Sequence, residues 1–101
     1  MSVKITNDAK TEVIDLMNNS GYKNPVLRLN IAGFGWGGPR LGLVLDELDN
    51  SENENVITDN DVKIAYDRRI ENYVNSASNI TIDFRKDKYG AGFVILGGSS
   101  C

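Results

Sequence analysis

Histidine is absent from this chain and cysteine occurs once, as Cys101. Without histidine the usual neutral-pH base and the commonest metal ligand are both missing. Ser/His/Asp chemistry, Cys/His chemistry and histidine-based zinc sites are therefore excluded. A single cysteine excludes an intrachain disulfide and fits a reducing compartment, so the cytoplasm is the expected location. No apolar run approaches the roughly 20 residues that span a bilayer. The opening MSVKITNDAK has none of the apolar core of a secretory signal, so neither a membrane nor export is expected. Cations are also in short supply, at 11 against 14 carboxylates for a net charge of −3. A nucleic-acid partner would want a basic face, and none is expected here.

What is present suits one α+β domain over residues 1–101, with short strands, two helices and a flexible tail at 97–101. The charge is unevenly split: residues 1–60 carry 5 basic and 9 acidic side chains, and residues 61–101 carry 6 and 5. Ala9, Val13 and Met17 recur at helical spacing beside Ile14 and Leu16. This predicts a helix over 8–19, with Thr6 or Asn7 as cap and Gly21 past its end. The period then switches to two. Leu27, Leu29 and Ile31 alternate with Arg28 and Asn30, and Leu41, Leu43 and Leu45 alternate with Gly42, Val44 and Asp46, predicting two strands. DNSENEN, 49–55, reads as an exposed loop. Short strands are expected at Val56–Ile57 and Val62–Tyr66, and Asp67 can cap a second helix with Ile70, Tyr73 and Val74 inward. Ile80, Ile82 and Phe84 alternate again, RKDKYG turns the chain, and GFVIL is a last strand.

Between the two leucine strands lies GFGWGGPR, which carries the chain's one tryptophan. Gly33, Gly35 and Gly38 fit G-x-G-x-x-G, but a dinucleotide site needs a helix next, and Pro39 leads into a strand instead. A Walker-type loop fails because no Gly-Lys-Ser/Thr follows. On composition alone the weightier reading is a strand–turn–strand connection whose glycines permit positive φ and whose tryptophan packs on the sheet. Asp46, Glu47 and Asp49 at the strand end read as a solvated edge before they read as an acid–base pair.

Order and spacing together resemble a known family. KITNDAKTEVIDLMNN, VLRLNI, GFGWGGPRLGLVLDE, VKIAYDRRIENYV, ITIDF and GAGFVI follow one another as in the HesB-like, or A-type, iron–sulfur carrier domain. The likeness covers nearly all of residues 3–96, and GAGFVI with the loop-to-LDE block is its most specific part. It implies a HesB-like β-sandwich or barrel-like core with two helices. It also implies a non-enzymatic role in iron–sulfur cluster assembly or metal handling, with assembly or recipient proteins as partners. In that family the loop reads like Gly-Gly-Cys-Ser-Gly, and a Cys-x-Cys pair sits in the tail. Thiolates from these places hold iron or a cluster between subunits. Aligned on Asp-Glu, Trp36 stands at the loop cysteine, flanked by Gly35 and Gly37, and GGSSC offers Cys101 alone. The Gly-Gly-Pro after position 36 and the short tail resemble a small HesB-like branch in which the loop residue is cysteine or selenocysteine. Selenocysteine is encoded by UGA, one base from the tryptophan codon UGG.

On this resemblance the cofactor-binding positions are Gly35, Trp36, Gly37 and Cys101, with Cys101 the metal ligand. A cluster wants cysteine thiolates, generally four. Indole N–H is a donor only, so Trp36 removes one ligand per subunit and leaves two thiolates in a dimer. Binding of iron or a cluster is expected to be weak or absent with Trp36 in place. Cys101, in a tail too polar to be core, is expected to be a ligand or a redox partner of residue 36. Two rivals keep the fold. One is a thiol or selenol redox protein using residue 36 and Cys101, and the other is a metal-free binding module with Trp36 as anchor.

Overall fold

The structure, a computed structural model, describes residues 2–35, 38–48, 54–68, 70 and 79–97. Within them the order is β1 (Ser2–Ile5), α1 (Asn7–Asn18), β2 (Pro25–Gly35), β3 (Gly38–Glu47), β4 (Glu54–Asp59), β5 (Val62–Asp67), β6 (Asn79–Asp87) and β7 (Gly90–Gly97). Two sheets result, a three-stranded one ordered β1-β6-β7 and a four-stranded one ordered β3-β2-β5-β4. The α+β expectation holds, but among the described residues there is one α-helix where two were expected. The second expectation fell on 67–74, of which 69 and 71–74 lie outside the described residues.

The period-two runs produce the core. Leu27 and Leu29 on β2, Ile64 on β5, Val3 and Ile5 on β1, and Ile80 and Ile82 on β6 are all buried, with Ala9 and Val13 of α1 packed against them. The other face of β2 carries Arg28 and Asn30, so a one-residue slip would turn the leucines outward. Both sheets and the helix thus share one apolar interior. Ile57, Leu41, Leu43, Phe84, Phe93 and Ile95 lean on it at the margin.

Polar ties lock the parts together. Of the two cap candidates it is Thr6 that caps α1, its hydroxyl accepting from the Ala9 amide at 3.2 Å. The same hydroxyl donates to Asp83 Oδ1 at 2.7 Å, and the Thr6 amide donates to the Ile82 carbonyl at 3.0 Å. The β4–β5 turn runs through Asn60 and Asp61 at φ 51° and 66°, a left-handed pair that Asn and Asp tolerate better than most residues. From there Asn60 Nδ2 donates to the Ile5 carbonyl at 3.1 Å. Asp59 Oδ2 accepts from the Ile5 amide at 2.8 Å, so the tip of one sheet is tied to the edge of the other.

Two boundaries differ from the sequence reading. Glu54 and Asn55, expected in an exposed loop, begin β4. The reason is tertiary: Arg28 meets the Glu54 carboxylate at 3.1 Å, and Arg68 Nε donates to Asn55 Oδ1 at 3.3 Å. The RKDKYG turn is also tighter than expected, since Arg85–Asp87 pair as strand with Gly90–Gly92.

Asp83 makes the fold acid-sensitive. The Thr6 hydroxyl first, then the Phe84 amide and the neighbouring Arg85, hold its carboxyl below the ordinary value of 3.8. A carboxylate held low in the folded state contributes stability above its unfolded pKa and loses it as pH falls through the folded one. Asp83→Asn should therefore flatten part of the loss of stability below about pH 4. Melting temperatures of the parent and Asp83→Asn at pH 7 and pH 3 check this. Equal slopes in the two proteins would remove Asp83 from the account.

Candidate functional site

The glycine stretch is built into a long hairpin. β2 and β3 pair antiparallel from Pro25↔Glu47 at the base to Gly35↔Gly38 at the far end. The strands therefore run deeper into GFGWGGPR than the sequence reading placed them, and two residues connect them. The ladder is broken once, between Ile31 and Gly33, where one extra residue bulges out. Gly33 there has φ +154°, a conformation that L side chains rarely adopt. A bulge bends its strand and raises the local twist, re-aiming what lies beyond it. The ladder is thus irregular at Gly33, before its last pair, Gly35↔Gly38, is reached.

Of the four positions singled out, Gly35 closes β2 and pairs with Gly38 across the ladder. Trp36, Gly37 and Cys101 lie outside the described residues, so the structure neither joins nor separates the loop position and the tail. The described part of the tail side ends at Gly97, the last residue of β7, which is paired with Ile80. A Cβ there would stand 2.2 Å from the Asn79 carbonyl oxygen, and φ is +80°, so only glycine fits.

The hairpin base is where the sequence reading missed most. Arg28 on β2 donates to Asp46 Oδ2 on β3 at 2.9 Å and to Glu54 on β4 at 3.1 Å, spanning three strands. Arg28 is about a fifth exposed and Glu54 less, so this is a half-buried network that fixes the strands beneath the hairpin. Glu47 takes a different part. Its Oε1 accepts from the amides of Lys23 at 3.0 Å and Asn24 at 3.4 Å, closing the entry to β2. Asp46 and Glu47 are thus both engaged in hydrogen bonds at the strand end, less solvated than the free edge the sequence reading placed there. Asp49 lies outside the described residues. Alternation alone put Arg28 on the polar face of β2, but nothing in one dimension named its partners.

The donor set decides what the chain can hold unaided. Among the described residues no group of three or more His, Cys, Asp or Glu side chains could hold a metal ion. The whole sequence adds one thiol, Cys101. Clusters are held by several thiolates, so one chain does not fit an iron–sulfur group by its own residues.

No family model matches the chain. It is 31% identical over 94 residues to the iron–sulfur cluster insertion protein ErpA 2 of Methylococcus capsulatus, covering 93% of this chain and 69% of that one. It is 32% identical over 93 residues to an ErpA-named protein of Paracidovorax citrulli, covering 92% and 74%. Its fold matches that of IscA, solved with a [2Fe-2S] cluster, at a TM-score of 0.65 and 18% identity over 92% of this chain and 79% of that one. Escherichia coli SufA gives a TM-score of 0.64 and 14% identity over 94% and 84%. No helix of the described residues is long and apolar enough to cross a membrane. Relatives that share nearly a third of their residues over nine-tenths of its length, and the fold common to IscA and SufA, place the chain in the HesB-like family of A-type iron–sulfur carriers.

Proposed function

We infer that this chain serves iron–sulfur cluster assembly as a non-enzymatic, cytoplasmic handling protein whose ligand set is reduced at Trp36. The observation that carries the reading is its 31–32% identity, over nine-tenths of its length, to iron–sulfur cluster insertion proteins. Iron or a cluster is its cargo, and assembly or recipient proteins are its partners. Residue 36, between Gly35 and Gly37, is the loop position, and Cys101 is the tail ligand. The working unit is a homo-oligomer, because one thiol per chain cannot surround a cluster.

Trp36 itself supports a second reading, a metal-free binding module in which the indole is an anchor. The native codon at position 36 divides the two, since UGA favours metal or selenol chemistry and UGG favours the module. The cargo side is tested on the chain as written. Anaerobic reconstitution with iron and sulfide, followed by desalting, should leave little visible absorption. A stoichiometric cluster that survives desalting would overturn the claim that Trp36 disables the site.

A further inference from the structure

The alternation that buries Ile80 and Ile82 beside Ala9 and Val13 of α1 continues along β6 to Phe84 and Lys86. The Thr6 hydroxyl, donating to Asp83, fixes the start of α1 against this strand, and β6 runs on to Asp87. On the helix, Asp8, Thr11 and Glu12 stand three and four residues apart, so they form one stripe beside the buried Ala9 and Val13. Between stripe and strand lies a cavity of about 310 Å3, lined among the described residues by Asp8, Thr11, Glu12, Phe84 and Lys86.

The lining is ordered by charge. The helix brings two carboxylates and a hydroxyl, and the strand brings an aromatic ring and an ammonium. Phe84 is held in place, half-buried against the core and edge-on to Phe93 with ring centres 5.0 Å apart. Lys86 Nζ stands 5.9 Å from the Phe84 ring centre, at the outer reach of a cation–π contact. Asp8, Glu12 and Lys86 enter no ion pair or hydrogen bond through their charged groups, although Lys10 and Arg85 nearby in sequence each hold a carboxylate. Charges of both signs thus face one cavity without meeting across it. The Thr11 hydroxyl donates to the Asn7 carbonyl at 3.1 Å, which leaves its oxygen free to accept.

We propose that this cavity binds an amphoteric molecule of amino-acid size, its guanidinium against Asp8 and Glu12, its apolar stem along Phe84 and its carboxylate on Lys86. The volume is at the low end of the roughly 300–1,000 Å3 of small-molecule sites, which suits one residue and not a nucleotide. Two carboxylates against one ammonium call for a ligand with net positive charge or a strong cationic head. Carboxylates one helical turn apart suit the planar, five-donor guanidinium fork better than a compact ammonium. A free arginine and an arginine at the C-terminus of another chain share this chemistry. The site uses neither the glycine loop nor Cys101, so it lies beyond the cargo reading.

The test is a titration of the full chain followed by amide chemical shifts in NMR. L-arginine should give saturable shifts at Thr11, Glu12, Phe84 and Lys86. L-citrulline, of the same shape with an uncharged head, should bind at least about tenfold more weakly, the usual worth of a charge-assisted hydrogen bond. Agmatine lacks the carboxylate, so Lys86→Gln should lower the ratio of arginine to agmatine affinity by about tenfold. Glu12→Gln should weaken both by a similar factor, and Lys88→Gln, on the turn after β6, should change neither. Gly-Gly-Arg separates the two sources: binding as tight as L-arginine or tighter assigns the site to a chain end, and weaker binding assigns it to the free amino acid. No saturable shift with either probe, equal binding of L-citrulline, or an affinity ratio unchanged in Lys86→Gln would each overturn the proposal. Iron and sulfide enter none of these readouts, so this site and the cargo reading can fail separately.

Discussion

Trp36→Cys is expected to give this chain soft-metal binding about a hundredfold or more tighter than it has as written, and Cys101→Ser should abolish the gain. The reasoning starts from the hairpin. β2 and β3 stay paired up to Gly35 and Gly38, which flank positions 36 and 37 in sequence. The ladder is interrupted once on the way, by the extra residue before Gly33. Trp36→Cys would place a thiolate between Gly35 and Gly37 in sequence. With Cys101 it raises the count from one thiol per chain to two, and a dimer then offers four, which suits tetrahedral sulfur coordination. Titration of zinc or ferrous iron into the parent, the single variant and the double variant checks this. If Trp36→Cys binds no more tightly than the parent, or the double variant binds as well as the single, then loop and tail do not form one site. The metal-free module with Trp36 as anchor would then be the better account.

The largest effect on stability is expected at Leu29. It is 1% exposed, lies on the inward face of β2, and pairs with Leu43 on one side and Tyr66 on the other. Leu29→Ala removes a buried side chain where two strands and the core converge, so it should cost about 3 kcal/mol. For a domain of this size that corresponds to a fall of about 12–24 °C in melting temperature. Val44, on the opposite face of the adjacent strand and 45% exposed, is the control, and Val44→Ala should change stability by less than about 0.5 kcal/mol. Thermal unfolding followed by circular dichroism measures both. Equal losses at the two positions would mean that the inward and outward faces of the hairpin have been assigned wrongly.

The sequence reading succeeded where a single residue type or a period carries the information. Leu27 and Leu29, and Ile80 and Ile82, were placed inward by alternation alone and are buried. The helix over 8–19 matches Asn7–Asn18, because apolar spacing and a capping residue are both local. The reading was weaker wherever a distant partner decides the outcome. Glu54 reads as loop because it sits in a run of Asp, Asn and Glu, and it is strand because Arg28 reaches it across the sheet. Thr6 and Asn7 were equal candidates for the cap until Asp83, 77 residues away, took the Thr6 hydroxyl as a donor.

The same division holds for function. The missing histidine, the single Cys101 and the tryptophan within the glycine stretch are composition, and they fix the available ligand chemistry without any coordinates. The helix and six of the seven described strands followed from apolar patterning, since a strand or helix buries whatever its own repeat places on one face, but β1 did not. Only the tertiary structure showed that the β2–β3 ladder shifts register at Gly33, that Arg28 ties three strands beneath the hairpin, and that among the described residues β7 lies at a sheet edge. These depend on which strands become neighbours, and neighbours far apart in sequence are selected by the energy of the packed whole, which no local pattern encodes.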